Sequence, residues 1–271
     1  IGVDLDEPMM VFGIFGVGLS VIAWALTIGA NAPPIEVKRP ALESGVLLVY
    51  LLIYATAFLG FGLTYVREIA PPGQLREVLT IALKLTAHVA LPALIILMLG
   101  EKLGPITQAG LKGRKFWRTL VVMGAIVLGL LCVVSPSLKH IQETGAAWST
   151  LAWAAPASFV WITIEAGLCE EFFFRAVLQT RFTALFRSPW MGIAVTAILF
   201  GLAHAPGLYL RGGEVFQNPL HVIAYTITSL SPMGLLFGLL YARTKSLLLV
   251  VLLHGLVDVL PSMQEFIQIW T

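Results

Sequence analysis

Eight apolar stretches of about 20 residues each dominate this chain and limit what it can fold into. A helix of that length crosses a hydrocarbon core roughly 30 Å thick. Clusters rich in Pro, Gly and charge, such as NAPPIEVKRP, separate the stretches and leave only short loops. We therefore predict transmembrane helices over residues 9–29, 45–66, 78–99, 118–135, 150–174 with a continuation towards 186, 190–208, 219–241 and 246–262.

The composition excludes a water-soluble globule. Hydrophobic residues make up 58% of the 271 residues and charged residues 12%, whereas a soluble domain has roughly 25% charged residues. We predict an all-α, polytopic membrane helix bundle in the lipid bilayer, with N-terminal helices over 1–149 and a catalytic helix core over 150–271. The net charge of +2 gives no indication of nucleic acid, and we expect no such partner.

The distribution of Lys and Arg predicts the orientation of the bundle. With eight crossings, four basic residues fall on the side of the termini and eleven on the opposite side, while Lys84 and Arg175 lie within helices. Cytoplasmic loops carry an excess of basic residues. We therefore expect both termini to be extracytoplasmic.

Ionisable residues inside the predicted helices are few, and each is costly there. On insertion scales one charged side chain at the centre of a helix costs about 2.5–3.5 kcal/mol. Packing alone does not repay that cost, so these groups must face protein, water or one another. They are Lys84, His88, Glu165, Glu170, Glu171, Arg175, His204, His254 and Asp258.

The stretch CEEFFFR concentrates three of these charges. Glu171 and Arg175 are four residues apart and can form an ion pair along one helix face, which is a purely structural role. Glu170 points about 100° away and has no partner within its helix. A lone carboxylate in a bundle interior indicates a catalytic base, a proton relay or a metal ligand.

Three further residues can complete such a site on two other helices. His204 ends the sixth predicted helix, and His254 and Asp258 lie one turn apart on the eighth. A Glu and a His can activate a water molecule, and a second His can stabilise an oxyanion. The same four residues, Glu170 included, can instead bind a divalent metal such as zinc, so a cofactor is left open. No HExxH motif is present.

Three motifs in this order resemble those of a known family. Glu170-Glu171-x-x-x-Arg175, Phe200-x-x-x-His204 and His254-x-x-x-Asp258 are similar to the motifs of the CPBP (ABI) family. That family comprises CAAX proteases and bacteriocin-processing or immunity proteins, and includes the type II CAAX prenyl endopeptidases. The resemblance covers roughly residues 150–262.

The resemblance implies an intramembrane endopeptidase that cleaves a membrane-associated peptide or protein, including a CAAX-like or prenylated one. Glu170 and His204 would activate water, His254 and the position of Asp258 would line the oxyanion side, and Glu171 and Arg175 would support them. The type II enzymes usually carry Asn where this chain has Asp258. An ionised Asp cannot donate to an oxyanion, so Asp258 must be protonated, orient His254 or bind metal.

Two other functions fit the same bundle. A non-catalytic immunity or scaffold protein of the family would not need water activation, and a proton-coupled transporter would use buried carboxylates and histidines as a proton path. Against the transporter, the chain shows no two-fold internal repeat. Lys84 and His88, four residues apart, can either meet a substrate carboxylate or line the bundle.

Overall fold

The computed structural model describes residues 6–30, 32–104 and 111–271, and in these ranges the chain forms helices and no strand. Eight of the described helices are long and apolar enough to cross a membrane. They are Pro8–Leu26 (α1), Pro40–Ile69 (α2), Gln74–Met98 (α3), Gly113–Val133 (α4), Trp148–Phe186 (α5), Pro189–Arg211 (α6), Pro219–Thr244 (α7) and Leu247–Trp270 (α8).

The predicted all-α membrane bundle is confirmed, and each predicted helix corresponds to one span. The fifth helix does continue to Phe186. The eighth runs further than expected, because Pro261 lies inside the helix and does not end it. The division into two units at residue 150 stays a prediction.

Helix α5 is the centre of the bundle. It has 39 residues and packs against α2, α3, α6, α7 and α8. Two π-helical turns interrupt it, over Thr163–Leu168 and Phe172–Gln179, and they flank the three residues Cys169–Glu171. Such turns are rare and occur often at functional sites, since they rotate side chains out of the α-helical register.

Contacts between residues at helix ends show which helix ends lie together. At the end where α1, α3, α5 and α7 finish, the Arg118 guanidinium donates to the Leu26 carbonyl at 3.0 Å and Arg243 donates to Thr27. We call this the basic end. The other end, where α2, α4, α6 and α8 finish, is the carboxyl-terminal end.

One of the eleven basic residues counted on the side opposite the termini lies inside the bundle. Arg181 lies within α5, 1% exposed, and its Nε is 3.2 Å from Oε2 of Glu43 on α2. It is therefore an internal ion-pair partner. Without Arg181 the basic residues number ten at the basic end and four at the other, so the predicted orientation still follows.

Candidate active site

The carboxylate of Glu170 lies between two imidazoles that come from different helices. Its Oε1 is 3.8 Å from Nε2 of His204 on α6, and its Oε2 is 3.8 Å from Nε2 of His254 on α8. Both separations exceed a direct hydrogen bond. They are short enough for one water molecule to contact the carboxylate and an imidazole together.

His204 is held in one orientation by its own helix. Its Nδ1 is 2.8 Å from the carbonyl oxygen of Phe200. A carbonyl only accepts hydrogen bonds, so Nδ1 carries the proton. In the neutral ring, Nε2 then presents a lone pair towards Glu170.

His254 is fixed more tightly than His204, because both of its ring nitrogens face carboxylates. Nδ1 is 2.9 Å from Oε1 of Glu171, and Nε2 is 3.2 Å from Oδ2 of Asp258. The ring also stacks on Phe237, with ring centroids 5.0 Å apart and an interplanar angle of 14°. Of the roles left open for Asp258, contact with His254 is the one that this geometry supports.

The Glu171–Arg175 ion pair predicted from the spacing is present in the structure. Nε of Arg175 is 3.0 Å from Oε2 of Glu171, and both side chains are fully buried. The contact is poorly aligned for a hydrogen bond, since neither atom has a hydrogen-bond partner among the described residues. The guanidinium carbon also lies 4.9 Å from the ring centroid of Phe200, a cation–π contact. Glu171 therefore contacts both Arg175 and His254.

Glycines let α5 and α8 approach closely enough to bring Glu171 and His254 together. A methyl group at Gly167 would lie 2.6 Å from the carbonyl oxygen of Val251, and one at Gly255 would overlap the Thr163 hydroxyl. Only glycine fits at either contact. The helix crossing that forms the site thus requires that Gly167 and Gly255 carry no side chain.

Helix α3 forms the remaining wall of the site. Nζ of Lys84 is 3.1 Å from Oε1 of Glu165. His88 is not available to meet a substrate carboxylate, because both of its ring nitrogens have partners within the bundle. Its Nδ1 lies 2.8 Å from the Lys84 carbonyl, and its Nε2 accepts a hydrogen bond from the Tyr54 hydroxyl.

The Lys84–Glu165 pair was missed in the sequence because a regular α-helix turns a residue five positions before Glu170 by about 140° from it. The π-helical turn over Thr163–Leu168 changes this register and brings Glu165 closer to the face of Glu170. The contact between His88 and Tyr54 was likewise not predicted, because it joins two different helices. The two signals available were the rarity of Lys84 and Glu165 inside apolar stretches.

Metal binding was left open for Glu170, His204, His254 and Asp258. Across the part of the chain that the structure describes, no three His, Cys, Asp or Glu side chains are grouped so that they could hold a metal ion. The two nitrogens of His254 and Nδ1 of His204 already face other groups. These residues do not fit a metal centre as they stand, and no step below passes through one.

A scan against protein-family models shows what this region is similar to. Residues 151–260 match the model described as Type II CAAX prenyl endopeptidase Rce1-like. The resemblance seen in the three motifs is therefore confirmed over these residues, which contain Glu170, Glu171, Arg175, His204, His254 and Asp258. No curated protein and no solved structure matched the chain.

At the level of the family, the Rce1-like match indicates an intramembrane protease of the CAAX type. Together with the eight spans, it indicates an integral, multi-pass membrane protein whose surroundings are a bilayer and whose substrate is a membrane-associated peptide. The matched Rce1-like segment is less than half of the chain, and the first four helices lie outside it.

Proposed function

We propose that this protein is an intramembrane endopeptidase in which Glu170 and His204 activate the attacking water. One observation carries the proposal: the Glu170 carboxylate lies 3.8 Å from Nε2 of each of two imidazoles, and separate groups orient both rings. A structural ion pair would not leave a buried carboxylate without a direct hydrogen bond.

Water activation follows from the tautomer of His204. A water molecule between Glu170 and His204 can donate one proton to the carboxylate and the other to the lone pair of Nε2. Its own lone pair is then free to attack a carbonyl carbon. General-base assistance of this kind contributes about 10²–10⁴-fold in rate.

The remaining steps transfer the protons through groups of the site. As the water oxygen bonds to the carbonyl carbon, Glu170 takes one proton and the carbonyl oxygen becomes an oxyanion. The Nε2–H of His254 leaves its contact with Asp258 and donates a hydrogen bond to the oxyanion, which stabilises it. When the oxyanion re-forms the carbonyl and the carbon–nitrogen bond breaks, Glu170 returns its proton to the leaving nitrogen. The second water proton passes to Nε2 of His204, so the products are a carboxylate and an amine, and His204 then releases that proton to water.

Glu171 and Arg175 support this arrangement without touching the substrate. Glu171 accepts from Nδ1 of His254 and so directs Nε2 towards Glu170. Arg175 balances the charge of Glu171 in a place where an unpaired carboxylate would be costly. The substrate is a membrane-associated peptide, including CAAX-like or prenylated ones.

The test is cleavage of membrane-anchored peptides, with and without a thioether isoprenoid, by purified protein in liposomes. We expect Glu170→Gln and His204→Ala each to lower the cleavage rate by about 10²–10⁴-fold, because each removes one of the two groups that take water protons. The midpoint of thermal unfolding should stay within a few degrees of the parent protein.

Two matched variants serve as controls. Glu143→Gln removes an exposed carboxylate that pairs with Lys139, and His221→Ala removes an exposed imidazole against Phe216. Both should cleave at the parent rate. Full cleavage by Glu170→Gln would contradict the proposal, and retained protection or scaffolding without any cleavage by the parent protein would favour the non-catalytic alternative.

A further inference from the structure

A charged cavity enters the bundle at its carboxyl-terminal end. Its volume is about 260 Å³, and its lining comes from α2, α3, α5, α6 and α8. Each lining residue lies in the part of its helix nearest that end, from Arg67 near the end of α2 to Trp270 at the end of α8. The cavity therefore opens on the membrane face opposite the basic loops.

The charges in this cavity require water. Four cations and three carboxylates line it, and among the described residues only Lys84 and Glu165 form an ion pair within 4.0 Å. In hydrocarbon each charge would cost about 2.5–3.5 kcal/mol even on the lowest scales. The lining charges are Arg67, Arg76, Glu77, Lys84, Glu165, Arg211 and Glu265.

The inner end of the cavity adjoins the candidate active site. Lys84 and Glu165 lie there as an ion pair at 3.1 Å, and Glu165 precedes Glu170 by five residues on α5. Ser262, another lining residue, is one helical turn beyond Asp258. The side chains of His204 and Asp258 are 28% and 30% exposed, whereas that of Glu171 is fully buried. The site is thus partly accessible at His204 and Asp258 and closed at Glu171.

We propose that water and the polar part of the substrate reach Glu170 through this cavity, and that the cavity opens away from the cytoplasm. The second statement follows from the ten basic residues at the opposite end, which mark the cytoplasmic face. Three of the four basic residues at the carboxyl-terminal end line the cavity and serve its polarity. Of these two statements, only the one that names Glu170 as the end of the path rests on the proposed function.

Cysteine labelling tests both statements without measuring cleavage. Cys132 and Cys169 are first replaced by Ser and Ala. Thr80→Cys then places a thiol on the cavity lining, and Val78→Cys places one two residues away on the side of α3 that faces away from the bundle. Lys112→Cys reports the basic end. Each variant is treated with a charged, membrane-impermeant methanethiosulfonate in right-side-out and in inverted vesicles.

We expect Thr80→Cys to react from outside in right-side-out vesicles, at least about tenfold faster than Val78→Cys, since the reactive thiolate forms in water and not in lipid. Lys112→Cys should react only in inverted vesicles. If Thr80→Cys is as slow as Val78→Cys in both preparations, the cavity is not a water path. If Thr80→Cys reacts from the same side as Lys112→Cys, or only in inverted vesicles, the proposed face is wrong.

The same labelling in the Glu170→Gln background separates this inference from the proposed function. Labelling that is unchanged there, together with cleavage that is lost, supports both. Labelling that persists while Glu170→Gln still cleaves leaves the path standing and overturns the catalytic role of Glu170. In an active protein, modified Thr80→Cys should also cleave more slowly than modified Val78→Cys.

Discussion

Glu43 on α2 and Glu170 on α5 are both buried carboxylates, but their hydrogen-bonding surroundings differ. At the basic end, both oxygens of Glu43 are occupied: Oε1 accepts the Arg39 backbone N–H at 3.1 Å, and Oε2 contacts Arg181 at 3.2 Å. Glu170, further along α5 towards the carboxyl-terminal end, has two imidazole nitrogens at 3.8 Å, and Glu165, five residues before it, lines the charged cavity. The first carboxylate is satisfied, and the second is not.

The difference teaches that burial of a charge does not by itself mark a functional site. Glu43 and Arg181 neutralise each other and join α2 to α5. Glu170 keeps unused hydrogen-bonding capacity next to two oriented rings, which is what a general base needs. Variants at three places break or sharpen this comparison.

The largest effect on stability is expected at the satisfied pair. Arg181→Met leaves the Glu43 carboxylate buried without its cation and should lower the free energy of unfolding by about 3–5 kcal/mol. The double variant Glu43→Met, Arg181→Met should recover most of that loss, because an apolar pair replaces the ion pair. Denaturant titrations in detergent measure both. A double variant no more stable than Arg181→Met would mean that the pair is more than a neutralised contact.

A smaller loss of stability, combined with a loss of activity, is expected at Glu171. This residue forms an ion pair with Arg175 and also accepts a hydrogen bond from His254. Glu171→Gln removes the charge that balances Arg175 and weakens the hydrogen bond to His254. We expect a loss of about 1.5–3 kcal/mol in stability and a 10–100-fold loss in cleavage rate, as for other residues that orient an active-site group. Parent-level cleavage by the folded variant would show that His254 needs no orientation by Glu171.

The smallest effect is expected at Asp258. In Asp258→Asn the amide oxygen can still accept from Nε2 of His254, so the cleavage rate should stay within about threefold of the parent. Asp258→Ala removes the acceptor and should lower the rate by about 10–100-fold. Initial rates for the two variants on one peptide decide the point. An equal loss in both would show that the negative charge of Asp258 is required.

Much of the site could be predicted from spacing alone. Glu171 with Arg175, and His254 with Asp258, are four residues apart on a helix, and both pairs are in contact in the structure. The Lys84–Glu165 and Tyr54–His88 contacts could not be predicted, because each joins residues of different helices. The π-helical turns in α5 were also unpredictable, since apolar runs do not specify their hydrogen-bond register.

The sequence by itself determined that this is a membrane bundle and which ionisable residues it cannot hide, because hydrocarbon penalises each charge whatever the fold. Only the tertiary structure decided which charges are satisfied. Arg181 was counted among the basic residues of one membrane side and is a buried partner of Glu43, while Glu170 was unpaired on its own helix and lies between two imidazoles. Helix packing sets those distances. At Gly167 and Gly255 the helices come close because glycine has no side chain to hold them apart.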